Sequence, residues 1–520
     1  MGLMRSVATI GGYTMLSRIL GFARDALFAA VLGAGMAADA FMVAFRLPNF
    51  MRALFAEGAF NAAFVPLYSR ILAGEDGPHR AARFAGEIAS LLTLALLLLS
   101  AALMVFMPQA MLVLAPGFRD EPEKFALAVE LTRLTFPYLT FISLVSLQGA
   151  VLNAHHRFGP PAATPVMMNL VLIAALLLPH DGLGLGLGVA TTQAVAVSVA
   201  GMVQFVWLAV HMQRHGLAIR LHLPRFGPEI RRFFKLMGPA VIGAGIYQVN
   251  VLIDMILASL LPEGTVSYLF YADRLNQLPL AVIGIAISTA LLPLLSRQLA
   301  GGETARALDT QNRALEGALL LTLPAAAALA TLPETIVSVL FQRGAFSAAD
   351  SAETAKALAV LACGLPAFTI SKVFTPAFHA REDTRTPVRL ALIALAVNLA
   401  VALAVMWDWH QAGLALASTV AAWANTAQLM VILRRRGYFK PDRRLVTRAL
   451  RFLLATAVMV GVLLLLEWQL RPLFQRDILW RAGALAGLCA SGGLVFLAVA
   501  LASRAVTFGE LTALVRRRSR

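Results

Sequence analysis

The chain has 520 residues, of which 59% are apolar and only 14% charged, with a mean hydropathy of +0.75 and a formal net charge of +16. That balance excludes a soluble multidomain enzyme, and no polar stretch is long enough to fold as a separate soluble domain. The two cysteines, Cys363 and Cys489, sit in apolar runs without a neighbouring His or Cys, so no disulfide or metal role is expected and both read as buried packing residues.

Apolar runs near the ~20 residues needed to cross the hydrocarbon layer recur along the whole chain. They predict about fourteen transmembrane helices, over 7–32, 38–68, 84–108, 125–153, 161–179, 184–212, 236–261, 265–296, 310–340, 354–379, 387–407, 412–433, 448–468 and 478–503. The runs are continuously apolar rather than alternating, which argues against a barrel. Arg18, Arg24 and Asp25 interrupt any signal-peptide core, so the first run reads as a retained helix. His155 and His156 fall at a helix end and are expected at the membrane interface. The Gly184-Leu185-Gly186-Leu187-Gly188 stretch follows Pro179-His180-Asp181 and is expected to open a membrane helix, its glycines serving packing rather than phosphate binding.

Basic residues gather in alternate loops, which is a topology signal. With a cytoplasmic N-terminus they follow helices two (Arg70, Arg80, Arg83), six (Arg214 to Lys235), eight (Arg306, Arg313), ten (Arg381, Arg385) and twelve (Arg434 to Arg444), and end the chain at Arg516 to Arg520. Attraction to anionic lipid accounts for this charge without a nucleic-acid module. Both termini are therefore expected to be cytoplasmic.

Helices one to six and seven to twelve read as copies. Asp25 precedes Arg46 by 21 residues, and Asp254 precedes Arg274 by 20. Arg46-Leu47 leads after 20 residues to Pro66-Leu67-Tyr68-Ser69-Arg70, and Arg274-Leu275 after 19 to Pro293-Leu294-Leu295-Ser296-Arg297. His155 and Arg157 before Thr164-Pro165-Val166 match His379 and Arg381 before Thr386-Pro387-Val388. An even number of helices per copy makes the repeat parallel, about an axis normal to the membrane. The expected organisation is an all-α polytopic membrane protein: a six-helix bundle over 1–225, a second over 226–440, a central cavity, and two additional helices with a basic tail over 441–520.

Charge inside the membrane is the main pointer to function, since an ionised residue at the bilayer centre costs roughly 2.5–3.5 kcal/mol on insertion scales. Arg18, Arg24, Arg46, Arg52 and Arg274, with Asn49, are candidate ligands for an anion, because the planar guanidinium fork matches phosphate oxygens. Arg18 and Arg24 would share a helix face only if the helix bends, for which Gly11, Gly12 and Gly21 give scope, and Pro48 is expected to kink helix two. Asp25, Asp39, Glu57 and Asp273 are candidate counter-ions or gating partners, and simple neutralisation of arginines by these acids is the competing reading. Asp254 and Asn398 are candidates for ion coupling, with hydrogen-bonded packing the alternative. No phosphate-binding loop of the Gly-x-x-x-x-Gly-Lys type and no catalytic or metal-ligand grouping is present, so no cofactor is expected and energy would come from membrane potential, an ion gradient or substrate flow.

Ser17-Arg18 through Arg24-Asp25, Gly33-Ala34-Gly35, Asp39-Ala40-Phe41, Leu47-Pro48-Asn49, Phe55-Ala56-Glu57-Gly58-Ala59-Phe60, Phe64-Val65-Pro66 and Tyr271-Ala272-Asp273-Arg274-Leu275 resemble the MurJ (MviN) lipid II flippases of the multidrug/oligosaccharidyl-lipid/polysaccharide exporter superfamily. The resemblance implies export of the undecaprenyl-pyrophosphate-linked disaccharide-pentapeptide across a bacterial cytoplasmic membrane. It implies a pyrophosphate cluster at Arg18, Arg24 and Arg274, functional positions at Asp39, Arg52 and Glu57, and a groove for the polyprenyl tail on helices thirteen and fourteen. Where the family often carries a second basic residue after the one matched by Arg52, this chain has Ala53. Partners implied are lipid II, the phospholipid bilayer and cell-wall synthesis proteins. Competing readings are an exporter of another anionic lipid-linked glycan or an amphipathic drug, a non-transporting scaffold for cell-wall enzymes and, more remotely, a membrane glycosyltransferase.

Overall fold

The computed structural model describes residues 2–52, 59–178, 188–222 and 226–510. Glu57, Ala53, the start of the Gly184 stretch and the arginines of the C-terminal tail lie outside the described residues. The described chain is helical: α1 (Gly2–Leu32), α2 (Met36–Arg52), α3 (Ala59–Leu72), α4 (Gly77–Val105), α5 (Met107–Leu114), α6 (Pro122–Thr135), α7 (Tyr138–Ala154), α8 (Gly159–Leu177), α9 (Val189–Arg214), α10 (Pro228–Ser259), α11 (Thr265–Ala300), α12 (Thr304–Thr331), α13 (Pro333–Phe341), α14 (Ala348–His379), α15 (Arg385–Arg435), α16 (Arg443–Phe474) and α17 (Ile478–Ala502). Nine apolar segments among the described residues are long enough to cross a membrane. The protein is a multi-pass membrane protein, and its helices are consistent with about fourteen crossings.

Several expected single spans are broken where proline removes a backbone donor. Helix three divides into α4 and α5 just before Pro108, helix four into α6 and α7 at Pro137, and helix nine into α12 and α13 at Pro333. The long-then-short pattern of α4–α5 recurs in α12–α13, in keeping with the sequence repeat. Helices eleven and twelve meet inside α15 at His410, whose φ of 44° and ψ of −124° are not helical. The chain folds back there because Gly413 has no Cβ; one would lie 2.8 Å from the Val405 carbonyl oxygen.

Two compact units result. The first comprises Met1–Ser267 with Arg343–Phe346, the second Tyr268–Gln342 with Ser347–Arg520. In the first, α1 packs on α8, α2 on α6, α7 and α8 on α9, and α10 on α3. A ladder of rings joins α3 to α4 and α10, with centroids 5.2 Å apart for Phe60 and Phe64, 5.5 Å for Phe64 and Phe84, and 5.6 Å for Phe60 and Phe233. In the second, α14 packs against α12, α13 and α15, and α16 against α12 and α17. Its core includes Leu295, Leu315, Phe374, Phe378, Leu429 and Phe439.

Cys363 and Cys489 are exposed, correcting the expectation of burial. In a membrane protein apolar side chains also cover the outer, lipid-facing surface, so an apolar run does not imply an interior position. Leu98, Leu450 and Leu494 show the same, each more than 60% exposed on its helix.

Candidate functional site

Within the first unit, α1 places Arg24 at a junction with α8. The Arg24 guanidinium donates to Asp25 Oδ1 from Nη2 at 2.6 Å and from Nε at 3.0 Å, and from Nη1 to Asn169 Oδ1 at 3.1 Å. Asn169 turns its amide nitrogen to α1, donating to the Ser17 carbonyl at 2.9 Å and contacting Ser17 Oγ at 3.3 Å. One buried amide thus reads two turns of α1 and fixes the arginine's plane. The side chains of Arg24 and Asp25 are 13% and 6% exposed, so this pair works at reduced dielectric. Arg18 is exposed on the same helix.

On α2, Pro48 cannot donate to the Ala44 carbonyl. Buried Thr135 of α6 fills the gap, its hydroxyl donating to Ala44 O at 3.1 Å. The next turn carries Asn49, which donates from Nδ2 to Phe45 O at 3.1 Å and accepts from Arg52 Nε at 3.2 Å. Arg46 and Arg52 are half-buried on the same helix.

Asp39 stands apart from these arginines. Its carboxylate accepts from Gly264 N at 2.8 Å, Ser267 N at 3.0 Å and Ser267 Oγ at 2.7 Å, and meets Lys124 Nζ at 3.3 Å. Both members of the ion pair are 1% exposed, and the ammonium also lies 4.5 Å from the Phe118 ring centroid. The loop answers in kind: Glu263 Oε1 accepts from Met36 N, at the start of α2, at 2.5 Å. Two helix N-termini are therefore capped by carboxylates across the same contact.

In the second unit, the Arg274 guanidinium carbon lies 4.9 Å from the Phe270 ring centroid. Asp273 is exposed and accepts from Gln277 Nε2 at 2.5 Å. Asn398 is buried in this unit, whereas Asp254 belongs to the first unit, where Asn250 Nδ2 donates to it at 3.4 Å. His155 closes the end of α7, its Nε2 3.2 Å from Tyr68 Oη.

Lys124, Asn169, Thr135 and Glu263 were not singled out by the sequence. Lys124 lies among acids in Glu121-Pro122-Glu123-Lys124, just before the apolar run, and so reads as a loop charge. Asn169 carried the only available signal, an amide inside an apolar helix.

Assigning Asp39 to Lys124 changes the charge balance. Residues 18–57 then hold four arginines, Arg18, Arg24, Arg46 and Arg52, against the two acids Asp25 and Glu57. Apart from Asp25 and Asp39, residues 18–52 contain no further acid.

The family described as Lipid II flippase MurJ matches residues 28–480. A relative from Rhizobium meliloti, a probable lipid II flippase MurJ, is 43% identical, covering 96% of this chain and 94% of its own. The solved structure of a lipid II flippase MurJ in an inward closed conformation has a TM-score of 0.78 and 26% identity, over 94% of this chain and 97% of that one. An inward-facing multidrug resistance MATE family transporter of the MOP superfamily shares the fold, with a TM-score of 0.66 and 14% identity over 83% of this chain and 98% of that one. A match running through nearly the whole chain, at this identity, places the protein in the lipid II flippase MurJ family.

Proposed function

We propose that the protein is a flippase that moves lipid II from the cytoplasmic to the outer leaflet of a bacterial inner membrane, by alternating access. The observation that carries this reading is the surplus of guanidinium groups on α1 and α2, given that Asp39 is neutralised by Lys124 and not by an arginine. A pyrophosphate supplies the acceptor oxygens and negative charge that such a surplus favours. Each close pair would be worth on the order of 4 kcal/mol at an effective dielectric near 20. Family membership supports the same substrate.

In this reading Arg18, Arg24 and Arg52 engage the pyrophosphate, and Asp25 and Asn169 hold Arg24 ready. Both termini lie in the cytoplasm, as the basic loops favour. Asp254 is the carboxylate proposed for ion coupling; transport in Asp254→Asn with unchanged ion dependence would remove it from that role.

The test is the outer-face accessibility of labelled lipid II in cells whose only flippase is this protein or its Arg24→Ala variant, at matched expression and membrane insertion. Accessibility is expected with the parent and is lost in the variant. Equal exposure of lipid II without any active copy refutes the flippase reading, and tolerance of Arg24→Ala favours a scaffold.

A further inference from the structure

Two proline breaks meet at one buried hydroxyl in the first unit. Pro48 lies inside α2 and Pro137 separates α6 from α7, and α2 packs against both of those helices. The ring of Phe45, one turn before Pro48, has its centroid 6.4 Å from that of Tyr138, which follows Pro137. Side-chain hydroxyls from neighbouring helices reach the backbone at both breaks. Ser198 of α9 donates to Leu134 O, at the end of α6, at 2.6 Å. Thr135 of α6 reaches Ala44 O of α2, and both residues are fully buried.

The Thr135 hydroxyl has one proton and two carbonyl oxygens at 3.1 Å, Ala44 O and Thr132 O. These acceptors are not equivalent. Thr132 O already accepts from Phe136 N at 3.0 Å, whereas Pro48 removes the backbone donor that Ala44 O would otherwise have. The hydroxyl therefore counts most at Ala44, where a buried carbonyl left without a donor is costly.

What depends on that bond is the direction of the last turn of α2. Arg46 precedes Pro48, while Asn49 and Arg52 follow it, with Asn49 Oδ1 accepting from Arg52 Nε at 3.2 Å. A bend at the proline sets the angle between these two groups, and the bond from Thr135 ties the bend to α6. We infer that Thr135 is a positioning residue, fixing the bend of α2 so that Asn49 and Arg52 are aimed together at the transported anion. The aim at an anion rests on the proposed transport reading, in which Arg52 engages the pyrophosphate; the link from Thr135 to α2 does not.

The experiment uses the full-length protein in cell membranes, with Cys363 and Cys489, both exposed, replaced by Ala and with Met51→Cys as a reporter in the last turn of α2. The reporter's rate of reaction with N-ethylmaleimide is measured beside the outer-face exposure of labelled lipid II in the same cells. Thr135→Val keeps the side-chain shape and removes the donor. The rate is expected to change about two- to tenfold, with a comparable fall in lipid II exposure at matched expression. Thr135→Ser restores the hydroxyl and is expected to match the parent in both. Pro48→Ala returns a backbone N–H to Ala44 O, so Thr135→Val added to it is expected to change the rate no further. Where Thr135→Val does not insert, Thr135→Ala removes the same donor in its place. An unchanged rate in the Thr135 variant overturns the inference, as does a change of equal size in the Pro48→Ala background, which packing alone would produce. A changed rate with undiminished lipid II exposure overturns the aiming of Asn49 and Arg52. Absence of exposure with the parent itself refutes the transport reading, while the maleimide rates still decide whether Thr135 sets the bend of α2.

Discussion

Removing Asp39 should cost far more than removing its partner, and the two losses should not add. In Asp39→Ala the Lys124 ammonium, 1% exposed, keeps only Glu121 Oε1 at 3.6 Å and the Phe118 ring. The amides of Gly264 and Ser267 lose their acceptor as well. An uncompensated buried charge costs about 3–5 kcal/mol. Lys124→Met keeps the apolar stem, and the remaining carboxylate retains three donors at 2.7–3.0 Å, so a loss of about 2 kcal/mol is expected. The double variant no longer strands a charge and should be more stable than Asp39→Ala alone, giving a coupling of more than about 2 kcal/mol. Unfolding in detergent, with hydrogen exchange at the Gly264 and Ser267 amides, measures both terms. If the single losses add within about 0.5 kcal/mol, the pair does not act as a buried unit and the reasoning fails.

Asn169→Ala should loosen α1 from α8, lowering stability by about 1–3 kcal/mol and reducing lipid II exposure at matched expression; an unchanged melting profile and activity would show that the amide is dispensable. Gly344 has φ of +57°, and a Cβ there would lie 2.1 Å from the Ala30 carbonyl oxygen, beside the Ala345 N to Ala30 O bond of 2.7 Å. Gly344→Ala is therefore expected to displace the Arg343–Phe346 segment from the end of α1, and unaltered protease resistance of that segment would contradict it. Asp383, between α14 and α15, is held at about 2: burial raises it, but hydrogen bonds from the Thr386 side chain and backbone and the Arg436 guanidinium outweigh that. Its stabilisation is complete above the ordinary value of 3.8 and is lost as pH falls through about 2. Hydrogen exchange in the Asp383–Thr386 turn should rise only across that window, and Asp383→Asn should remove the dependence.

Much of the helical layout was legible because hydropathy acts locally. A run of apolar residues must satisfy its own backbone in lipid, and the helix is the local way to do so. The prolines that divide α4 from α5, α6 from α7 and α12 from α13 were visible, but whether a proline breaks a helix depends on what receives the freed carbonyl. Pro48 stays within α2 with Thr135 of α6 supplying the missing donor, a contact between residues 91 positions apart.

The site divides in the same way. Composition and hydropathy determined by themselves that this is a membrane protein, and charge spacing singled out the arginines as candidate anion ligands. Their chemistry follows from residue type, so an anion could be anticipated before any fold was known. Only the tertiary structure decided that Asn169 orients Arg24, that Asp39 serves Lys124 and a helix N-terminus instead of an arginine, and that Cys363 and Cys489 face outward. Those outcomes turn on which helices become neighbours, and side-chain pairing at 3 Å between distant positions leaves no local pattern in a sequence where apolar residues line both the packed and the lipid-facing surfaces.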